Sequence, residues 1–333
     1  MERQIVTSQK HLKRLVRLRM ERTGESYTTA RSHIVGPDRK PTLSDQRVID
    51  AHGRHGQSVT FSPDGRWVVS SGEDRMIRFH DVATLEAGPV LAGHHNVVNC
   101  VAFDPSGSRL VSCSSDRSIR IWSASADWEG DELGRHGDAV VAIAIDPHGN
   151  FVASAGYDGR LRLWGLDSAE MIAEARSSLR RISSVTFSPD GDRTVEAGAG
   201  SEVILRSVPA LDQVGSLESG APGVLDLAMS PSGGMLASAD ADGKLILWDP
   251  MTFDRIRVID LAGRAQAVTI SSDGRLVAAA WDGHVGLWDV ESPEPISTVS
   301  IGIKGIYGLS FDPSGGALAQ TGADGVVRLW KLG

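Results

Sequence analysis

The chain has 333 residues, 41% hydrophobic and 23% charged, with 2 cysteines and a formal net charge of −8. That apolar share supports a packed core and excludes global disorder. No run approaches the roughly 18 apolar residues of a membrane-spanning helix, the start lacks the apolar core of a signal peptide, and two cysteines make no disulfide framework, so a cytoplasmic protein with Cys100 and Cys113 as buried thiols is expected.

Charge divides the chain in two. Residues 1–49 carry eleven Lys/Arg against five Asp/Glu, and the rest carries 23 against 37. The larger part is therefore an acidic body, not a surface for coating nucleic acid. The basic part comes first in chain order. Leu12, Leu15, Val16 and Met20 follow i, i+3, i+4, i+8, one stripe of a helix, with Lys13, Arg14, Arg17 and Arg22 largely off it. Gly24 is a helix stop, and Ser26 or Thr28 caps a second short helix through Tyr27, Ala30 and Ile34. Gly36-Pro37 ends it, and the polar "PDRKPTLSDQ" is a linker.

Residues 1–45 are thus expected to form a short basic helical extension, too small to fold alone. It either docks on the rest of the chain or on a second copy, or serves as a handle for a protein partner. Nucleic-acid contact through residues 10–31 is the weaker alternative, because aromatic residues do not interleave with the basic ones. Glu2, Glu21 and Glu25 disfavour a transit peptide. The phrase "RTGESYTTAR" resembles short N-terminal elements of bacterial proteins, and no function attaches to it.

Beyond residue 45 one unit recurs seven times, among them "FSPDGRWVVSSGEDRMIRFHD" from Phe61, "FDPSGSRLVSCSSDRSIRIWS" from Phe103 and "IDPHGNFVASAGYDGRLRLWG" from Ile145. Copies follow from Phe187, Met229, Ile270 and Phe311, at spacings of 42, 42, 42, 42, 41 and 41. The S-P-D-G and D-P-S-G segments read as tight turns, and runs such as "VVSS" and "VASA" as strands buried on both faces. Asp-Gly or Asp-Arg then turns into an alternating strand such as "RLRLW". Four antiparallel strands per 42 residues suit a propeller blade.

These repeats resemble WD40 repeats, with Trp-Asp kept at Trp248-Asp249 and Trp288-Asp289. The resemblance covers residues 46–333 and implies an all-β fold, a seven-bladed β-propeller with strands a to d counted outwards from the channel. The last copy lacks its outer strand, and "QRVIDAHG" matches one, so the resemblance implies that a strand at 46–51 closes the last blade.

A His, a Ser, an Asp and a Trp recur in register: His94, Ser112, Asp116 and Trp122, then His136, Ser154, Asp158 and Trp164. The first copy has His52, Ser70 and Asp74, with His80 at the Trp place. A nucleophilic triad needs one exposed Ser beside an oxyanion site, not one set three times over. The resemblance implies a structural network stapling each blade. Copy four has lost all four types, with Ser178, Glu196, Gly200 and Arg206 in their places, and an ion pair between Glu196 and Arg206 is expected instead. Gly220, Leu261 and Gly302 stand at the His place in the last three copies.

"HGRH" (52–55) and "HH" (94–95) lack a third ligand at metal spacing, "DADG" (240–243) lacks the later Glu of a calcium loop, and "GAGS" (198–201) opens no helix. No catalytic, metal or cofactor residues are therefore expected. The expected function is a non-enzymatic scaffold for protein partners, with a nucleic-acid-associated regulator and a central-channel enzyme as alternatives. By the resemblance, the upper face is built from the first residues of each strand a and the residue before each turn Asp. Tyr157, Arg181, Arg264, Gln266, Trp281 and Tyr307 are the partner-binding candidates there, since Tyr, Trp and Arg dominate interface energetics.

Overall fold

The computed structural model describes residues 42–220, 223–252 and 254–333, so the helical extension expected before residue 42 lies outside the described residues. Each repeat folds for a local reason. In all seven a–b turns the first residue, Ser or Asp, accepts a hydrogen bond from the backbone N–H five residues on, as in Trp67 to Ser62 (2.9 Å), Arg109 to Asp104 (2.8 Å) and Leu276 to Ser271 (2.9 Å). The turn glycines, Gly65 through Gly315, all have φ between 69° and 76°, a left-handed conformation that disfavours any side chain. That pair of demands explains the repeated S/D-x-x-G.

The strands assemble into seven four-stranded antiparallel sheets, each in the order a, b, c, d. Strand b is buried beyond its first residue, with Val69, Val111, Val152, Val195 and Ala237 fully covered, because sheets pack on both of its sides. Strand d is the outer one, and Val48, Val90, Met171, Ile172, Val214 and Val258 lie exposed along it. Among the described residues the only helical element is one 3-10 turn, Ala124–Ala126, and no helix is long and apolar enough to cross a membrane. The segment after it carries Trp128 to 4.9 Å from Phe79 of the first blade and 6.2 Å from Phe103.

The seventh sheet takes its outer strand from the other end of the chain. Leu43–Asp50 pairs antiparallel with Val326–Leu332, from Leu43 opposite Leu332 to Asp50 opposite Val326, with a bulge between Ser44 and Arg47. The strand starts at Leu43, ahead of the Gln46 read from the repeat pattern, because the bulge lets Leu43 and Ser44 extend the pairing. Arg47 then reaches sideways, donating to the carbonyls of Val82 (2.8 Å) and Ala83 (2.7 Å) in the first blade.

Around the axis, side chains of strand a bind the backbone of the next blade. Asn99 donates to the Val140 carbonyl (2.7 Å), Ser183 to that of Val224 (2.6 Å), and Ser184 accepts from the Leu227 N–H (3.1 Å). These groups line a channel of about 410 Å³. An upper face of d–a loops and b–c turns surrounds one end of it, and a lower face of a–b and c–d turns the other. Register gives a direct test: Ile49 is buried among Val59, Phe61 and Leu329, whereas Val48 is 55% exposed. We expect Ile49→Ala to cost about 2–4 kcal/mol in denaturant unfolding and Val48→Ala less than about 0.5 kcal/mol. Equal costs would show that the closing strand has a different register.

Candidate functional site: blade networks and the upper face

The recurring polar residues meet as chains of hydrogen bonds. In the second blade Trp122 Nε1 donates to Ser112 Oγ (2.8 Å), Ser112 lies 2.8 Å from His94 Nε2, and His94 Nδ1 lies 3.0 Å from Asp116. The third repeats this with Trp164, Ser154, His136 and Asp158 at 2.7, 2.8 and 3.1 Å. Because a carboxylate only accepts, each Nδ1 carries the proton and each Nε2 accepts from the serine. In the first blade His52 meets Ser70 (2.9 Å) and Asp74 (3.0 Å), and Arg78 pairs with Asp74. With His80 at the Trp place, its Nδ1 has no partner.

The Ser–His–Asp geometry matches a hydrolytic triad, yet accessibility opposes that chemistry. Ser70, Ser112 and Ser154 are at most 1% exposed, and two of them already accept a Trp N–H, so no substrate carbonyl reaches the hydroxyl. Burial holds the imidazoles of His52, His94 and His136 below the usual histidine value, against the opposing pull of their aspartates. Asp74, Asp116 and Asp158 sit below the ordinary aspartate value, because hydrogen bonds and their histidines outweigh burial. The result is a neutral ring bonded to a carboxylate, with both nitrogens of His52, His94 and His136 partnered.

Blade four is built differently. Arg206 Nε donates to Glu196 Oε1 at 2.9 Å, with both side chains buried, so the expected ion pair is present. Ser177, not Ser178, completes it, donating to Glu196 at 3.0 Å while Ser178 faces solvent. The backbone explains the shift: Ser177 N–H bonds the Gly159 carbonyl just as His136 N–H bonds that of Arg117. By the same criterion Ser219 and Ile301, rather than Gly220 and Gly302, take the His place in blades five and seven, whereas Leu261 keeps it in blade six. Burial raises the Glu196 carboxyl above its usual value, and its second oxygen has no hydrogen-bond partner. In blade six Ala279 replaces the serine and leaves Trp288 Nε1 unbonded, while blade five keeps Trp248 to Ser238 at 2.9 Å.

Of the upper-face candidates, Tyr157 is 44% exposed at its turn apex, and the exposed Arg181 lies over its ring at 5.0 Å. Across the channel Arg264 is exposed, Gln266 Oε1 accepts from the Ile306 N–H (3.4 Å), and Tyr307 lies 6.1 Å from the His55 ring. Trp281 is the correction. It is buried at 8% exposure, stacked 5.6 Å from His284 and packed 5.7 Å from Trp288. Its partner is Ala265, as Gly72 pairs with Gly56 and Gly156 with Val140. The missing residue of copy six was therefore lost from the turn itself, so Trp281 is the last residue of strand b and not the turn apex.

One residue that the repeat pattern does not single out is Asp226, at the axis where other copies carry Ser58, Cys100, Ala142, Ser184, Ala267 and Gly308. It accepts from Ser184 Oγ (3.0 Å) and from the N–H groups of Leu227 (2.9 Å) and Val268 (2.9 Å), bridging three blades. Burial pushes its carboxyl up to about 6 despite those donors. Among the described residues no cluster of three metal-ligating side chains occurs.

The family model for "WD domain, G-beta repeat" matches residues 44–81, 87–123, 131–165, 212–249, 261–289 and 295–331. The stretch holding Glu196 and Arg206 falls between matches. A curated relative, the DENN domain and WD repeat-containing protein SCD1 of Arabidopsis thaliana, is 35% identical over 69 residues, 21% of this chain and 6% of that protein. The chain thus spans a small fraction of that relative's length.

Two outcomes test the networks. Glu196→Ala leaves Arg206 buried without its partner and is expected to cost about 3–5 kcal/mol, whereas Glu196→Ser with Arg206→Trp restores the neutral pair and loses under about 1 kcal/mol; urea unfolding measures both. The acid dependence has two parts. Histidines held below about 6.5 are neutral when folded, so their stabilisation is complete above that pH and falls as pH drops through it; the aspartates' share is lost below about 4. Urea midpoints between pH 8 and 3 are expected to fall in these two steps, and His94→Gln with His136→Gln to flatten the first.

Proposed function

The chain belongs to the WD40 repeat family, and from that premise we propose a cytoplasmic scaffold that engages protein partners through its upper face, with the basic N-terminal residues as a second element. WD40 propellers generally bind proteins and are generally non-enzymatic. The observation that carries the reading is the Tyr157–Arg181 pair, a large aromatic on the third b–c turn and a guanidinium on the adjoining d–a loop, exposed together. Such groups supply area and a polar handle at little further ordering cost. Arg264 and Tyr307 extend the same face across the channel mouth.

Charge supports a carboxylate-rich partner. Among the described residues, the upper loops expose Arg54, Arg75, Arg117, Arg180, Arg181, Arg264 and Lys304 against three acids, Asp138, Asp242 and Asp282. An acidic segment crossing the mouth would meet cations on several blades and be steered there at low salt. A partner is first recovered by affinity capture on the full chain, and its Kd then measured for Tyr157→Ala/Arg181→Ala/Arg264→Ala. We expect at least about a tenfold loss of affinity, with a weaker salt dependence and an unchanged unfolding midpoint. Unaltered affinity removes the upper face as the site.

A further inference from the structure

The lower face has the opposite character. Among the described residues its turns expose ten acids and a single cation, Arg66. Set into it, at the lower ends of strands a in blades three to five, is a cup of about 570 Å³. Ile145, Pro147, Phe187, Pro189, Met229 and Pro231 give it an apolar wall. On the same side of these blades stand Asp190 and Asp192 of the fourth a–b turn and Asp167, Glu170 and Asp212 of the c–d turns. Hydrogen bonds from Ser188 and the turn backbone hold the Asp190 carboxyl below its usual value, so it is anionic at neutral pH. An apolar floor with an acidic surround fits a segment that is apolar along one line and basic beside it.

The chain carries such a segment in its sequence, and its first described residue lies on this face. Thr42 N–H bonds the Gly333 carbonyl (3.1 Å), and Leu332 N–H bonds that of Gly316, a residue of the seventh lower turn (2.8 Å). Thr42, the first described residue, therefore stands at the lower rim. We propose that residues 10–22 of this chain seat in the lower cup, with Leu12, Leu15, Val16 and Met20 on its apolar wall and Arg14, Arg17, Arg19 and Arg22 against the acids around it. Reach is sufficient. The 19 residues from 23 to 41 extend to about 65 Å, and the path to the cup crosses the four strands of the seventh blade, about 15 Å, and then the channel to blades three to five on its far side. Tethering makes the contact effectively intramolecular, so modest affinity suffices. This site is independent of the upper face, which the seated segment leaves open, and a partner of the basic N-terminal residues has to displace them from the cup.

Hydrogen–deuterium exchange on the full chain tests this. At about 50 mM salt the lower turns Asp146–Asn150, Ser188–Asp192 and Ser230–Met235 are expected to exchange at least about fivefold more slowly than in Leu15→Asp/Val16→Asp, with the difference shrinking at about 500 mM. Pro147→Lys/Pro231→Lys is expected to release residues 12–22 in turn; the sixth blade carries Ser272 at that place, so the turn tolerates losing proline. Upper-turn peptides, unchanged in every variant, report that the propeller is folded. Equal exchange in wild type and the Leu15→Asp/Val16→Asp variant overturns the proposal. So does protection that grows as the chain is concentrated about a hundredfold, which assigns the cup to a second copy.

Discussion

The ring stands on one ladder of hydrogen bonds between residues almost three hundred positions apart, Leu43–Asp50 against Val326–Leu332. A row of sheets that each touch only their neighbours has two ends, and each end exposes a face and an edge that will pair with other chains. Here the seventh sheet is made from both ends of the propeller sequence, so the ends are the same blade. Arg47, bonded to the first blade from within the closing strand, ties that joint to its neighbour as well. Ser184 and Asp226 do comparable work at the axis, where one blade's side chains satisfy the next blade's backbone.

Once the ring is closed, individual blades tolerate different internal chemistry. Blades two and three hold a complete Trp–Ser–His–Asp chain, blade five keeps only its Trp–Ser bond, and blade four substitutes a buried ion pair. The ion pair is the costly variant: burial raises the Glu196 carboxyl, and one of its oxygens has no partner. It persists because Arg206 also donates to the Leu211 carbonyl (3.1 Å) and Ser177 to the carboxylate, so both charges are hydrogen-bonded. Variation at this level changes the stability of a blade without changing what its loops present.

What the loops present differs between the two ends of the channel. The same b–c and d–a connections that hold the networks expose cations above, and the a–b and c–d turns expose acids below. The polarity follows from local demands on one side: exposed Asp in the lower turns accepts hydrogen bonds from the turn backbone, as Asp64, Asp190 and Asp273 do, so turn chemistry itself adds negative charge there. On the upper side the recurring Asp is drawn into the blade by hydrogen bonds to His or Arg in copies one, two, three and seven, and the exposed Arg residues outnumber the acids that stay exposed. A rigid body with faces of opposite charge favours different partners at each end.

The amino-acid sequence by itself determined the seven copies, the turn chemistry and the Glu196–Arg206 pair, because each rests on a fixed spacing within a repeat, while the closing strand was implied by the resemblance to WD40 repeats. Only the tertiary structure decided where insertions and deletions fall. Trp281 looked like a turn apex when counted back from Asp282, and Ser178 like a network residue when counted back from Phe187. Pairing of Trp281 with Ala265, and of Ser177 with Gly159, moved each by one position. In a strand a shift of one residue exchanges solvent for core, so counting along the chain fails wherever a loop changes length. Asp226 and the segregation of charge between the faces were equally out of reach, since both depend on which blades are neighbours in space, and closure of the ring sets that.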